Sequence, residues 1–179
     1  MEKTVSEAIK YRRSVRRFDK NIEIDDNIVK KCIENAVLAP TSSNLQLWEF
    51  YHIIDKDLLK KISKSCFNQP AARTAKQIVI TVVRKDLWRE RAKDNIKFQE
   101  SNKESMSERE YKLVMKYYKT AIPLAYKNFL GISSYIKYLY AWFIGLFRVM
   151  YRQLRTSDMR IVAHKTAGLA SQNFMISMA

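Results

Sequence analysis

Residues 39–54, APTSSNLQLWEFYHII, contain a polar loop that runs directly into a strand, and this junction is the most informative part of the chain. The first half combines a proline with small hydroxyl side chains, which is typical of a loop. The second half is rich in aromatic and β-branched residues and predicts a strand. Hydroxyl and carboxamide groups placed there can recognise the polar edge of a flat heterocycle. An ordinary turn explains the same residues, so the loop alone leaves both interpretations open.

The segments around this junction alternate between helix and strand signals. QIVITVV, residues 77–83, is almost continuously apolar and predicts a strand covered on both faces. Thr4 and Glu7 have the spacing of a helix capping box, and Asp25 or Asp26 predicts the start of a second helix. The apolar face expected for that second helix is made of Ile28, Val29, Cys32, Ile33, Ala36 and Val37. Strands separated by helices favour an α+β or α/β layered domain over a barrel.

The composition excludes several classes of protein. The chain has 179 residues, of which 47 % are hydrophobic, so it can form a core and is not intrinsically disordered. Two cysteines and two histidines argue against a disulfide scaffold and against a metal site built on thiolate or imidazole ligands. The first residues lack an apolar signal segment, which predicts a cytoplasmic protein. The net charge of +15 fits a nucleic-acid surface, a site for a phosphorylated cofactor, or a solvated basic surface.

A cluster of arginines, YRRSVRRF at residues 11–18, is the strongest local source of positive charge. If the chain is extended from Arg12 onward, Arg12, Ser14 and Arg16 fall on one face, because side chains alternate in a strand. Two guanidinium groups and a hydroxyl on one face would bind a phosphate well. A basic helix end that complements the helix dipole remains the alternative.

A second polar loop precedes the second strand, in FNQPAARTAKQIVIT at residues 67–81. Its amide pair, Asn68 and Gln69, can read the edge of a heterocycle or can simply form a turn.

Taken in this order, YRRSVRRF, APTSSNLQLWEF and FNQPAARTAKQIVIT resemble the nitroreductase family of FMN-dependent oxidoreductases. The first resembles the family's Arg-x-Ser-x-Lys/Arg phosphate clamp, and the second its Ser-Pro-Ser-Ser-x-Asn-x-Gln-Pro-Trp loop. The third is similar to a loop whose asparagine faces the flavin. The resemblance covers residues 4–84, and the last helix, residues 163–179, is similar to the family's central dimer helix. It implies an α+β fold of three layers, with a central, mainly antiparallel sheet flanked by helices, in a homodimer.

The resemblance also implies a flavin site made from several segments. The residues assigned to FMN are Arg12, Arg13, Ser14 and Arg16 at the phosphate and ribityl end, Pro40, Thr41, Ser42 and Asn44 at the flavin of the partner subunit, and Asn68 at the ring or ribityl chain. No side chain is assigned as a catalytic acid or base, and no metal is implied. The implied reaction is ping-pong: NADH or NADPH reduces FMN, and an electron-poor small molecule such as a nitroaromatic or a quinone then accepts the electrons. Leu47 stands where the family usually has proline.

The second half of the chain departs from the family pattern. Residues 86–155 match no part of it and are interpreted as a helical and hydrophobic insertion within a single domain, residues 1–179. The family continues past the last helix with strands and basic residues that complete the phosphate site, so the sequence is interpreted as a C-terminally incomplete domain.

The insertion contains the apolar run FLGISSYIKYLYAWFIGLF, residues 129–147. Its charge-free part, residues 138–147, is shorter than the about 20 residues that a membrane span requires. A buried or dimer-facing segment, membrane-surface contact through residues 129–152, and a lid formed by residues 135–147 all fit this pattern.

Three alternative functions remain open beside the oxidoreductase. A nucleic-acid-binding domain would explain the charge, but the basic residues are spread along the chain without a recognised motif, so no nucleic-acid partner is predicted. The other two are a membrane-surface protein and a family member that binds flavin without turnover.

Overall fold

The computed structural model describes residues 3–19, 21–128, 132–149 and 155–179. The chain divides into two compact units. The sheet unit comprises Met1–Pro40, Trp48–Val82 and Ala167–Ala179, and the helical unit comprises Thr41–Leu47 and Val83–Thr166.

The sheet unit begins with two helices that start at the predicted caps. Helix α1 (Val5–Tyr11) opens with a capping box, in which the Thr4 N–H donates to the Glu7 carboxylate at 2.7 Å and the Glu7 N–H donates to Thr4 Oγ1 at 3.4 Å. The hydrogen bond from the Thr4 backbone lowers the pKa of Glu7 below its usual value. Helix α2 (Asp26–Val37) is capped by Asp25, whose carboxylate accepts from the Asn27 N–H at 2.9 Å. These local polar signals therefore identified both helix starts.

The apolar face of α2 is narrower than predicted. Val29, Cys32 and Ala36 are buried, and burial raises the pKa of the Cys32 thiol. Ile28 and Val37, which belong to the predicted apolar face, are exposed, so only the middle of that face is buried. These two positions flank the buried stripe, and a helix packed on one side leaves its flanks in solvent.

Two antiparallel strands form the sheet of the described residues, β1 (Trp48–Ile53) and β2 (Ile78–Val83). At one end of the strand pair, the Arg84 N–H donates to the Leu47 carbonyl at 3.0 Å. At the other end, the side chains of His52 and Gln77 form a hydrogen bond of 2.8 Å. Helices α3 (Lys56–Ser65) and α4 (Pro70–Thr74) connect the strands. Both strands were predicted from the sequence.

Strand β2 is less covered than its apolar sequence predicts, because all six of its residues are half-buried. The sheet of the described residues has two strands, so each strand has one edge whose backbone groups pair with no other described strand. The buried cluster of the sheet unit lies elsewhere, where Ala39, Trp48 and Ala170 pack with the half-buried Phe50.

The helical unit is formed largely by the predicted insertion. Its elements are α5 (Trp88–Ser101), α6 (Glu108–Lys116), a wide π-type turn (Tyr117–Ala121), α7 (Ile122–Tyr126), α8 (Ile132–Ile144) and the first half of α9 (Thr156–Ser177). The core of this unit contains Leu45, Leu47, Ala92, Tyr118, Ile122, Tyr126 and Met159.

Helix α8 carries the apolar run and is mostly exposed. Only Ser134 and Ala141 of this helix are buried, while Tyr140 is 63 % and Phe143 60 % exposed. The described part of this segment is therefore not buried within its own chain, and the dimer-facing, membrane-surface and lid interpretations stay predictions. Residues 129–131 and 150–152 of the predicted segment lie outside the described residues. None of the described helices is long and apolar enough to cross a membrane.

Helix α9 presents its small residues to the interior. Ala163, Ala167 and Ala170 are buried, whereas Leu169 is exposed and an added Cβ at Gly168 would meet nothing within 4 Å. The small side chains thus pack against the helix's own chain, whereas larger side chains such as Ile161, Leu169 and Met175 are exposed.

Candidate functional site

The polar loop at residues 41–47 is closed by hydrogen bonds within itself. The Asn44 N–H donates to the Thr41 carbonyl at 3.1 Å, and the Gln46 N–H donates to Thr41 Oγ1 at 3.1 Å. Leu45 and Leu47 are only 1 % and 4 % exposed, in the core of the helical unit. The two leucines anchor the loop in the core and leave the polar residues between and before them at the surface.

The loop backbone is strained. Ser43, Asn44 and Gln46 have φ values of 57°, 48° and 47°, in the left-handed region. Such a conformation costs roughly 1 kcal/mol at a residue with a Cβ, although asparagine tolerates it better than most. Strained backbone persists only where surrounding contacts hold it, and such places are often functional.

Asn95 of α5 supplies part of that support from a buried position. Its Nδ2 donates to the Asn44 carbonyl at 2.8 Å, and its Oδ1 accepts from Asn44 Nδ2 at 3.0 Å. The remaining Nδ2 hydrogen is donated to the Arg91 carbonyl at 3.0 Å. Asn95 is therefore fully hydrogen-bonded, and a buried side chain in that state has one preferred orientation.

Two adjacent tyrosines support the same loop from the π-type turn. The Tyr118 hydroxyl donates to the Ser43 carbonyl at 3.0 Å, and the Tyr117 hydroxyl lies 2.6 Å from Ser43 Oγ. The rings contact each other edge to face, with centroids 5.5 Å apart. Burial raises the pKa of Tyr118, so its hydroxyl remains protonated and available as a donor.

These contacts define which predicted loop residues can face a ligand. Thr41, Ser42 and Asn44 are brought together in one short loop, with Ser42 and Asn44 exposed and Thr41 half-buried. The side-chain Nδ2 of Asn44 donates to Asn95. Its side-chain Oδ1, which lies 3.5 Å from Gln46 Nε2, is therefore the more available end of the side chain. Pro40, the fourth predicted residue here, is exposed and belongs to the sheet unit.

The sequence interpretation missed Asn95, Tyr117 and Tyr118. One signal was available for Asn95, which lies beside the apolar stripe Trp88, Ala92 and Ile96 of α5. An asparagine next to a buried stripe is unusual, because it must find hydrogen-bond partners there. No local pattern identified those partners, which lie far away in the chain.

The basic segment at residues 11–18 starts where α1 ends. Arg12 has φ −53° and ψ 129°, outside the helical region, so the chain leaves the helix at the residue that the clamp hypothesis required. Arg13 Nη1 donates to the Lys10 carbonyl and, at 2.9 Å, to the Arg12 carbonyl. Within the described part of the chain, Arg12 and Arg16 have no carboxylate within ion-pair distance. Their guanidinium groups are free to bind an anion.

A cavity of about 660 Å³ adjoins this segment in the sheet unit. Arg12 and Arg13 contribute to its wall, whereas Ser14 and Arg16 are exposed and lie outside the lining. The apolar part of the wall consists of Val15, Phe18, Ile24, Val29, Val79, Phe174, Met175 and Met178. A cavity of this size with a few cationic groups at its edge is typical of a cofactor site.

Asn68 lines a second cavity of the sheet unit, of about 650 Å³. It has a left-handed backbone (φ 51°), and its N–H donates to the Ser63 carbonyl at 2.9 Å. Ile24 and Gln77 line both cavities, so the two lie side by side. Gln77 is fixed there because its Nε2 donates to the Ile24 carbonyl at 2.7 Å and its Oε1 accepts from His52 Nε2 at 2.8 Å.

The chemistry available at these places is hydrogen bonding and positive charge. Free guanidinium groups suit a phosphate, and the hydroxyl and amide groups of the loop suit a polar ring edge. Among the described residues, no group of three or more histidine, cysteine, aspartate or glutamate side chains could hold a metal ion. FMN, with a phosphate at one end and a flat polar-edged ring at the other, fits these donors.

Comparison with known proteins agrees with that chemistry. The sequence model of the Nitroreductase family matches residues 9–179. The chain is 34 % identical over 82 residues to Protein DrgA of Synechocystis, covering 46 % of this chain and 39 % of that protein. It is 34 % identical over 70 residues to an oxygen-insensitive NADPH nitroreductase of Helicobacter pylori, covering 38 % and 33 %. The chain thus spans about two-fifths or less of the length of these curated relatives.

Solved structures share the fold over nearly the whole chain. A nitroreductase family protein from Streptococcus pneumoniae aligns with a TM-score of 0.62 and 20 % identity, covering 98 % of this chain and 71 % of that one. A nitroreductase-type protein from Exiguobacterium sibiricum, crystallised in complex with FMN, aligns with a TM-score of 0.60 and 18 % identity, covering 98 % and 70 %. At these identities the likeness establishes the fold.

Proposed function

Because this chain belongs to the nitroreductase family, we propose that the protein is an FMN-dependent oxidoreductase that uses NADH or NADPH to reduce an electron-poor small molecule. The observation that carries the proposal is the polar loop at residues 41–47, which buried side chains hold in a strained conformation. FMN supplies the redox chemistry when bound, taking two electrons from the nicotinamide cofactor and passing them to an acceptor such as a nitroaromatic or a quinone.

The basic segment is proposed to bind the phosphate end of FMN. Arg12 and Arg16 offer free guanidinium groups, and Ser14 between them offers a hydroxyl. Arg13 is held against the backbone of α1, so its proposed role is to stabilise the turn at Arg12 and to contribute positive charge. Charged hydrogen bonds to phosphate are about twice as strong as neutral ones, so this segment supplies much of the proposed affinity.

The polar loops are proposed to bind the ring and the ribityl chain. Thr41, Ser42 and Asn44 offer hydroxyl and amide groups without charge, Pro40 stiffens the entry to the loop, and Asn68 is the proposed contact from the second cavity. Donors fixed in advance favour the reduced ring, because negative charge develops on it during reduction. No side chain of the chain is proposed to transfer a proton.

A visible absorption spectrum of the purified protein, with and without FMN, tests the proposal. We expect a bound-flavin spectrum that bleaches when NADH or NADPH is added without oxygen. A folded protein that leaves FMN fluorescence and absorption unchanged would contradict flavin binding. A bound flavin that neither cofactor bleaches would favour the alternative of a family member without turnover.

The proposed assembly is a homodimer that uses α9. Leu169 and Met175 are exposed on this helix, and the space beside Gly168 is open within the chain. Since a side chain at position 168 would clash with nothing in the monomer, Gly168→Val should leave folding intact and weaken a dimer in which a second helix approaches closely. Sedimentation of the parent and the variant measures this, and a parent that sediments as a monomer at all concentrations contradicts the assembly.

A second role is favoured by the exposed apolar face of α8. Aromatic side chains such as Tyr140, Trp142 and Phe143 would suit a lid over the acceptor or contact with a membrane surface. Replacing Tyr140 and Trp142 by alanine should change acceptor preference if the helix is a lid. Replacing Trp142 and Phe143 by serine should abolish binding to anionic vesicles if it contacts a membrane.

A further inference from the structure

The side chains that hold the loop at residues 41–47 come from helical segments that lie between residues 88 and 121 of the chain. Asn95 lies on α5, and Tyr117 and Tyr118 lie on the π-type turn after α6. Their polar contacts converge on two consecutive loop residues, Ser43 and Asn44.

This convergence is unusual for the backbone geometry involved. Successive side chains of a regular α-helix point about 100° apart, so neighbouring residues rarely reach the same target. The wide turn at Tyr117–Ala121 brings both tyrosine hydroxyls to Ser43, one to its carbonyl and the other to its side chain. Wide turns of this type occur preferentially at functional sites.

We propose that Asn95 and Tyr118 are positioning residues for flavin binding, which hold Ser43 and Asn44 in the left-handed conformation that presents Thr41, Ser42 and Asn44 to FMN. This inference rests on the proposed function for its ligand, but the positioning itself is a property of the chain alone. The helical segment thereby takes part in the cofactor site without contacting the cofactor.

Two substitutions remove the positioning contacts with little change in shape. Tyr118→Phe removes the hydroxyl that donates to the Ser43 carbonyl, and Asn95→Asp replaces the donor of the Asn44 contact by an acceptor. Each has a matched control in the same unit. Tyr126→Phe removes a hydroxyl from the same core, and Asn102→Asp alters an asparagine whose Nδ2 donates to the Phe98 carbonyl at the end of α5.

The first measurement is hydrogen exchange at the amides of residues 42–46 in protein without flavin. We expect Tyr118→Phe and Asn95→Asp to speed exchange there by about tenfold, since a net hydrogen bond is lost at each site, whereas Tyr126→Phe and Asn102→Asp leave these rates unchanged. Equal exchange in all four variants and the parent overturns the inference, and so does equal acceleration in the controls. This arm does not depend on flavin binding.

The second measurement is the affinity for FMN and for riboflavin, followed by flavin fluorescence. We expect the dissociation constants of both ligands to rise by about tenfold in Tyr118→Phe, in equal proportion because both ligands carry the same ring, with no change in Tyr126→Phe. If exchange is faster but both affinities match those of the parent, the loop is not positioned for flavin and the inference is wrong. If the parent itself binds neither ligand, the proposed function fails while the exchange arm still tests the positioning.

Discussion

The polar loop at residues 41–47 and the basic segment at residues 11–18 are proposed to bind the same cofactor, yet the chain prepares them differently. Ser43 and Asn44 are held by buried side chains of the helical unit. Among the described residues, neither the half-buried Arg12 nor the exposed Arg16 has a carboxylate within ion-pair distance. The loop is therefore held by contacts within the chain, whereas the two arginines are held by no ion pair among the described residues.

This difference follows from what each region must recognise. A ring edge needs donors and acceptors at defined positions, and holding them in advance avoids an entropic cost on binding. A phosphate attracts positive charge over several ångströms, and charged hydrogen bonds can offset the cost of ordering arginine side chains on binding. The two regions should therefore respond differently to mutation, to salt and to the choice of ligand.

The largest effect is expected when the basic segment loses its charge. Replacing both Arg12 and Arg16 by alanine should raise the dissociation constant for FMN by at least about 100-fold, since each charged hydrogen bond contributes about 1.5–3 kcal/mol. Riboflavin, which lacks the phosphate, should bind the variant as it binds the parent. Titrations of both flavins measure this, with Arg17→Ala as the control. An equal loss of affinity for both flavins would show that the two arginines do not bind the phosphate.

The next effect concerns the anchor of the loop. Leu45→Ala should lower the free energy of unfolding by about 3 kcal/mol, because it removes a buried side chain and leaves a cavity. The exposed control Leu113→Ala should change it by less than about 0.5 kcal/mol. Urea unfolding measures both values. Equal stability of the two variants would mean that the loop is not anchored in the core. The loop would then not differ from the basic segment in being held by buried side chains.

A smaller effect is expected from salt. Raising the ionic strength from 0.05 to 0.5 M should weaken FMN binding by about fivefold and leave riboflavin binding nearly unchanged, because salt screens the exposed arginines. The Arg12 and Arg16 double variant serves as the control and should lose this salt dependence. If added salt weakens the binding of FMN and of riboflavin to the parent equally, the salt dependence does not come from the contact with the phosphate.

The smallest effect tests the strain in the loop. Gln46→Gly should raise the free energy of unfolding by about 0.5–1 kcal/mol, since glycine adopts a positive φ without steric cost and the stabilising backbone hydrogen bond to Thr41 is kept. Gln69→Gly, at a position with negative φ, is the matched control and should give no gain. A destabilised Gln46→Gly variant would indicate that the glutamine side chain, and not the backbone, determines the loop conformation.

Much of the local structure was determined by the sequence alone. Thr4 with Glu7 and Asp25 each identified a helix start, because capping depends on residues two or three positions apart. The two strands followed from their β-branched and aromatic composition. The order of the three polar motifs also sufficed to predict the family, which the match over residues 9–179 confirmed. The assignment of individual residues to FMN stays a prediction.

Only the tertiary structure decided how the loop is held and which apolar residues are covered. Asn95 lies 51 positions from Asn44, and Tyr118 lies 75 positions from Ser43, so no local pattern could pair them. Ile28, Val37 and most of α8 have apolar sequences and yet are exposed, because an apolar side chain is buried only where another part of the molecule packs against it. Composition and periodicity describe what a segment prefers, whereas its partners are selected by the packing of distant segments.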